Sequence, residues 1–235
     1  MVHFDELDLF QDSVYPRENL RCLQGEDKVK GSPKAVLFDF GRVISAPKPA
    51  SLFESYERDL KLPPGCLNRI MFDDPAWEDT LLGRRSLHEY WAIIGSRLGL
   101  RDAEAVAAFR ARYDADERPN TPVITMIHNL YGCVGLAILS NAPRGLSAWL
   151  ERWGILSLFD AVICSAEEGV RKPWKEAYRL TLERLRVSPR EALFVDDTEE
   201  NVEAAGALGI ASHLYQNPAG LRHFLQNHGL NPLPS

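Results

Sequence analysis

The chain has no apolar run long enough to span a membrane and no excess of basic residues. Its 235 residues include 27 Lys and Arg against 33 Asp and Glu, which gives a formal net charge of -6. A membrane helix needs about 20 consecutive apolar residues, and binding to a nucleic-acid backbone needs clustered Lys and Arg. The acidic segment at residues 1–6 also differs from a signal peptide, which begins with basic and then apolar residues. We therefore expect a cytoplasmic protein that binds neither membrane nor nucleic acid.

Cysteine and histidine are few, and their spacing matches no common metal or redox motif. The four cysteines, Cys22, Cys66, Cys133 and Cys164, are far apart and form no CxxC pair, and the six histidines form no HExxH motif. Zinc sites and dithiol redox sites depend on such spacings. The sequence therefore favours reduced, structural cysteines and a chemistry carried by other side chains. It carries no signal that specifies an oligomeric state.

Short apolar runs alternate with helical patterns over much of the chain. Of the residues, 45% are hydrophobic and 26% charged, which suits a globular protein with a large core. Short buried strands that alternate with amphipathic helices predict an α/β fold with a parallel sheet covered on both faces. The predicted strands lie at 35–38, 136–139, 161–164, 192–195 and 211–215, and the helices between the later ones at 123–130, 146–153, 175–186 and 199–208.

The stretch from 47 to 118 has helical periodicity throughout and no strand pattern. Its leucine and aromatic residues recur at helical spacing, and prolines and glycines divide it into four or five helices. We expect an all-helical domain inserted into one core, which comprises 34–46 and 119–235. Residues 1–33 are acidic, aperiodic and interrupted by Pro and Gly, so they are predicted to form an N-terminal extension.

Acidic and other polar side chains stand at or after the ends of four predicted strands. In an open parallel sheet the carboxyl ends of the strands line one edge, so side chains far apart in the sequence could meet there. A carboxylate at such an edge can act as a nucleophile. The residues concerned are Asp39, Ser140 with Asn141, Lys172, and Asp196 with Asp197.

Each motif after the first also has a purely structural interpretation. Lys172 could be a solvated lysine at the start of a helix. Ser140 and Asn141 could cap a helix. Asp196 and Asp197 could cap the following helix, although two adjacent acids after a buried strand repel each other, a cost that a cap does not require.

Taken together and in this order, the motifs resemble those of the haloacid dehalogenase-like (HAD) hydrolase superfamily. The motifs are Asp39-Phe40-Gly41-Arg42-Val43, Ser140-Asn141, Lys172-Pro173 and Asp196-Asp197, with Asn201 downstream. The helical insertion after the first motif resembles the first type of cap domain in this family. The resemblance implies a Rossmann-like core and a hydrolase, usually of phosphate esters through an aspartyl-phosphate. Similar members include sugar-1-phosphate phosphatases and the phosphatase lobe of soluble epoxide hydrolases.

The resemblance implies a magnesium site built around the nucleophile. Asp39 would attack the substrate and contact the metal, the Gly41 carbonyl would coordinate it, and Asp197, supported by Asp196, would complete the protein ligands. A carboxylate attacks a phosphate dianion poorly because both are negative, so it needs a neutralising cation. Mg²⁺ prefers oxygen ligands and usually takes one or two carboxylates together with substrate oxygens.

The remaining motif residues would contact the substrate. Lys172 would stabilise charge on the transferring phosphoryl group and orient the nucleophile, while Ser140 and the Asn141 backbone amide would donate hydrogen bonds to its oxygens. Arg42 could pair with the substrate phosphate, face the cap, or be a surface or salt-bridged arginine. Trp77 lies close to a break between predicted helices, where the tip of a lid could sit.

Gly41 departs from the commonest phosphatase form of the first motif, which has a general-acid aspartate there. General acid-base help contributes about a hundred- to ten-thousand-fold in rate. The substrate could have a leaving group that needs little protonation, another residue could replace the acid, or catalysis could be lost.

The motifs favour a magnesium-dependent phosphatase that acts on a small phosphorylated metabolite. One alternative is a 2-haloacid dehalogenase, in which Asp39 attacks carbon without a metal; the adjacent acids Asp196 and Asp197 disfavour it. Another is a non-catalytic member of the family that binds a phosphometabolite or a protein, which the substitution at Gly41 would explain.

Overall fold

A five-stranded, fully parallel sheet forms the centre of the fold. The computed structural model describes residues 32–232, so nearly all of the extension predicted for 1–33 lies outside the described residues. The strands are β1 (Ala35–Phe38), β2 (Gly135–Ser140), β3 (Ala161–Cys164), β4 (Ala192–Asp196) and β5 (Ala211–Leu214). Their order is β3-β2-β1-β4-β5, with every neighbouring pair parallel. This order is typical of a Rossmann-like sheet, and the predicted α/β fold is confirmed.

The first strand lies between the two strands that carry the other acids and Ser140. Phe38 of β1 lies beside Ile138 of β2 and Val195 of β4. All residues of β1 and β4 are buried, as expected for parallel strands covered on both faces. Asp39 and Asp196, each one residue further along, therefore stand side by side at the carboxyl edge.

Helices cover both faces of the sheet. Alternate strand residues such as Val36 and Phe38 pack with the helices of one face, while Leu37 and Phe194 pack with those of the other. The helices are α6 (Thr121–Leu130), α7 (Leu146–Arg152), α8 (Ser165–Glu168), α9 (Lys175–Leu185), α10 (Glu199–Ala207) and α11 (Pro218–Asn227). The short α8 and the late α11 are additions to the predicted elements. No helix within residues 32–232 is long and apolar enough to cross a bilayer.

Five helices between β1 and α6 form a separate layer, here called the helical insertion. They are α1 (Ala50–Asp59), α2 (Cys66–Phe72), α3 (Pro75–Leu81), α4 (Leu87–Arg97) and α5 (Ala103–Ala115). Their buried side chains form a hydrophobic cluster of their own, in which Tyr56, Tyr90, Trp91 and Phe109 are the largest. The aromatic-rich helical periodicity of this stretch thus corresponds to internal packing.

Two antiparallel linkers connect the helical insertion to the sheet. The Ala46 N–H donates to the Arg118 carbonyl, and the Asn120 N–H donates to the Ile44 carbonyl, both at 2.8 Å. The buried Asn120 side chain also donates to the Val43 carbonyl at 2.8 Å and to the hydroxyl of Tyr215 at 2.9 Å. One side-chain amide therefore links the turn after β1 with the residue that follows β5.

Replacing this amide should measurably destabilise the protein. Asn120→Ala leaves two buried acceptors without their donor, and we expect the free energy of unfolding to fall by about 2 kcal/mol. Asn227→Ala at the exposed end of α11 is the matched control, which should change it by less than about 0.5 kcal/mol. Urea denaturation followed by circular dichroism measures both, and equal effects would contradict a special role for Asn120.

Candidate active site

Three carboxylates meet at the carboxyl edge of the sheet. Asp39 follows β1, Asp196 ends β4 and Asp197 follows it; one oxygen from each lies within 4.8 Å of the others. Asp39 is 8% exposed and Asp196 fully buried. Carboxylate oxygens grouped in this way suit a hard divalent cation such as Mg²⁺, so the donor set fits the metal that the sequence predicts.

A buried lysine holds two of these acids together. Lys172 is 1% exposed, and its Nζ lies 2.7 Å from Oδ1 of Asp39 and 2.5 Å from Oδ2 of Asp196. A solvated lysine at a helix start, the structural interpretation of this residue, is therefore wrong. Because the segment before α9 carries this ammonium into the interior, residues more than a hundred positions apart share one charged cluster.

Burial and neighbouring charge act in opposite directions on these groups. Burial raises the pKa of Asp39 to about 6, although Lys172 opposes the rise and Asp196 adds to it. Burial alone would lower the pKa of Lys172, but the charges of Asp39 and Asp196 outweigh it and the pKa is raised. The ammonium is therefore charged, and the cluster contains a buried positive centre.

The Asp196 carboxylate is fully engaged by protein donors. Its Oδ1 accepts from the Thr198 N–H at 2.8 Å, and the Asn201 side-chain amide donates to both oxygens at 3.1 and 3.2 Å. The carbonyl of Asn201 in turn accepts from the hydroxyl of Tyr178 at 2.8 Å. Asp196 thus orients Lys172 and the start of α10. The sequence predicts no role for Asn201 and shows only that it lies downstream of the fourth motif.

Asn141 positions the lysine through its side chain. Its Nδ2 donates to the Lys172 carbonyl at 2.9 Å, and its Oδ1 accepts from the Lys172 N–H at 2.8 Å. The sequence predicts a different use, hydrogen bonding by its backbone amide to a phosphoryl group. Ser140 ends β2 as a buried residue beside the same cavity. No sequence signal connects Asn141 with a residue 31 positions away.

Asp197 is paired with Arg42 at the rim of the site. The Nε of Arg42 lies 2.6 Å from Oδ2 of Asp197, and the arginine side chain is 65% exposed. Burial raises the pKa of Asp197, and Arg42 opposes that rise. Arg42 adopts a left-handed backbone conformation with φ 58°, while Gly41 has an ordinary φ of -65°. The glycine is therefore not required by the backbone of this turn.

A cavity of about 860 Å³ extends from the acidic cluster to the helical insertion. Asp39, Lys172 and Asp197 of the core line it, and so does Trp77 of the helical insertion. Tyr90 and Trp91 of α4 also line it, while His88 of the same helix is exposed and is not among the lining residues. Arg42 and Trp77, the two predicted substrate contacts, thus both border this space.

Comparison with known proteins identifies the family. A family model described as haloacid dehalogenase-like hydrolase matches residues 34–209. The chain belongs to this family. A relative from Aspergillus oryzae, the sesquiterpene phosphatase astK, is 30% identical over 75% of this chain and 87% of its own length. The chain is therefore a HAD-like hydrolase with phosphatase relatives, and the predicted family is confirmed.

Solved structures of HAD enzymes share the fold. A family enzyme from Bacteroides thetaiotaomicron superposes with a TM-score of 0.63, covering 79% of this chain and 94% of the other, at 18% identity. The L-2-haloacid dehalogenase from Xanthobacter autotrophicus, with chloropropionic acid covalently bound, gives a TM-score of 0.60 at 25% identity and 83% coverage of each chain. HAD-like architecture therefore serves both phosphatase and dehalogenase relatives.

Removing the buried ammonium should destabilise the HAD core. In Lys172→Met the carboxylates of Asp39 and Asp196 lose their partner, and we expect the free energy of unfolding to fall by about 3–5 kcal/mol in the presence of EDTA. Lys175→Met, at an exposed position of α9, is the control and should be nearly neutral. Chemical denaturation measures both. A loss below about 1 kcal/mol for Lys172→Met would show that the pair is not a structural requirement.

Proposed function

We propose that this chain is a magnesium-dependent phosphomonoesterase that acts on a small phosphorylated metabolite through an aspartyl-phosphate on Asp39. The observation that carries the proposal is the grouping of three carboxylates with a buried ammonium at the end of a large cavity. A phosphate dianion can approach a carboxylate nucleophile only where positive charge offsets their repulsion. Lys172 places one positive charge beside Asp39, and the proposed Mg²⁺ would offset the negative charge that remains.

Asp39 is the proposed nucleophile. Lys172 holds its Oδ1, while its Oδ2 lies on the side of Gly41. Oδ2 would bond to phosphorus as the bond between phosphorus and the ester oxygen breaks, and the departing oxygen takes a proton from water. A second water then attacks phosphorus, which releases inorganic phosphate and restores the carboxylate.

The other site residues would hold the metal ion, orient Asp39 and offset the charge of the phosphoryl group. Asp39, Asp197 and the Gly41 carbonyl would hold Mg²⁺, with Asp196 contributing its charge and orienting Lys172 and Asn201. When bound, the ion supplies neutralisation of the phosphoryl oxygens. Ser140 and Asn141 border the same end of the cavity and are the proposed donors to the phosphoryl group.

A dehalogenase is the second candidate, because the Xanthobacter enzyme is 25% identical over 83% of this chain. Displacement of halide by a carboxylate requires no cation beside it, whereas Asp197 adds a third carboxylate to the cluster. The phosphatase relative from Aspergillus oryzae also covers most of its own length. Both observations favour phosphate esters.

Phosphate release with and without metal tests the proposal. Hydrolysis of 4-nitrophenyl phosphate should require Mg²⁺ and stop with EDTA. Asp39→Asn should lower kcat at least about a thousandfold, because the nucleophile is lost. The exposed Asp59→Asn is the control and should keep the rate within about twofold. Metal-independent chloride release from 2-chloropropionate would favour the dehalogenase, and thermal stabilisation by a phosphate ester without turnover would favour a binding protein.

Gly41 provides a second test of the chemistry. A Cβ added there would lie 3.8 Å from Oδ2 of Asp39, an ordinary contact, and the backbone φ of -65° suits any residue. Gly41→Asp should therefore fit and supply the missing general acid. We expect hydrolysis of hexyl phosphate, whose alcohol is a poor leaving group, to rise at least about tenfold relative to 4-nitrophenyl phosphate.

The isosteric Gly41→Asn is the matched control, because it fills the same space and cannot donate a carboxyl proton. Steady-state kinetics on both esters compares the two variants. The same gain in both would show that shape and not acidity matters, and a gain in neither would indicate that another residue already supplies the proton.

A further inference from the structure

We infer that the substrate is a phosphate ester with a long apolar group, which the helical insertion holds while its phosphoryl group lies at Asp39. This inference rests on the proposed phosphatase function and names the class of its substrate. Apolar side chains from four helices of the insertion line one wall of the cavity. They include Phe53 of α1, Met71 and Phe72 of α2, Trp77 of α3, and Leu87 and Trp91 of α4.

Polar groups are scarce on this wall. Apart from indole N–H groups, α1 to α4 contribute only Asn68 and Tyr90 as polar lining residues within the part of the chain that the structure describes. The hydroxyl of Tyr90 donates to the Met71 carbonyl at 2.8 Å. A polar group such as a sugar loses its hydrogen bonds to water on entering an apolar space, which costs free energy unless partners replace them.

The charged residues of the cavity beside the linkers have partners within the protein. Lys48 pairs with Glu117, and its Nζ lies 4.6 Å from the centre of the Tyr113 ring. Asp114 lies 3.5 Å from the Nε of Arg110. These charges are balanced locally, so they add little affinity for the hydroxyl groups of a polar substrate.

The apolar wall is pre-formed by ring contacts. Trp77 packs on Phe72 with centroids 5.3 Å apart and on Tyr90 with centroids 5.0 Å apart. Such contacts order the side chains before a ligand arrives. The cavity of about 860 Å³ lies in the upper part of the range for ligand sites. It has room for a hydrocarbon group well beyond the phosphoryl end.

The size and polarity of the tail can be varied while the leaving group stays the same. The probes are 4-methylphenyl phosphate, 4-octylphenyl phosphate and an ester of similar length whose tail is an oligoether, all below their critical micelle concentrations. Each buried methylene can contribute up to about fourfold, so we expect kcat/KM for the octyl ester to exceed that for the methyl ester at least about 30-fold. The ether tail should give little of this gain.

A matched pair of variants locates the tail. Leu87 and Leu52 are both half-buried and both pack against the same insertion cluster, but only Leu87 lines the cavity. Leu87→Gln should reduce the octyl-to-methyl ratio of kcat/KM at least about fivefold, since a polar amide then faces the hydrocarbon. Leu52→Gln should leave that ratio within about twofold. Equal effects of the two variants would overturn the assignment to this wall.

The outcomes separate this inference from the proposed function. If the methyl and octyl esters are hydrolysed equally well, or the ether tail serves as well as the octyl tail, the inference fails and the phosphatase stands. If no ester releases phosphate, the proposed function fails. Calorimetric titration of Asp39→Asn with the two alkylphenyl esters then tests separately whether the cavity binds a long apolar group. Binding of the octyl ester at least about tenfold tighter supports it, and equal binding overturns it.

Discussion

The buried ion cluster of Lys172 with Asp39 and Asp196 is the constraint on which the rest of this site depends. Two carboxylates with little access to water cannot both stay ionised without a nearby cation. Lys172 and Arg42 offset two of the three acids, which leaves one negative charge. That excess would repel an incoming phosphate dianion, and the proposed Mg²⁺ would supply the positive charge that offsets it.

The sheet order converts a scattered sequence into this cluster. Because β1 lies between β2 and β4, the residues after these strands meet at one edge. The side chain of Asn141 then grips the backbone of Lys172 at both its N–H and its carbonyl, which fixes a residue that lies on no strand. The parallel register therefore brings Asp39 and Asp196 together directly, and the Asn141 side chain positions Lys172 beside them.

The sequence predicts the features of this site that depend on local sequence, and it does not predict those that depend on contacts between distant segments. Apolar runs ending in acids placed Asp39 and Asp196 correctly, because strand burial and direction are local properties. The pairing of Arg42 with Asp197 and the side-chain role of Asn141 arise only when distant segments meet. Helix α11 is an exception, because its Asn217 cap, the proline after it and the buried Leu221 and Leu225 at helical spacing are all local signals, yet the predicted elements omit it.

Amphipathic spacing also could not separate core packing from cavity lining, and the structure explains why. Trp91 is 5% exposed and belongs to the insertion cluster, yet it also lines the cavity. The same apolar face thus stabilises the helical layer and offers a surface to a ligand. Gly41 provides no acid, so in the proposed phosphatase charge and the positioning of the substrate would carry more of the rate enhancement. Binding energy from a remote apolar group would be one source of such positioning. The two linkers connect the helical insertion, which carries the apolar surface, with the turn after Asp39.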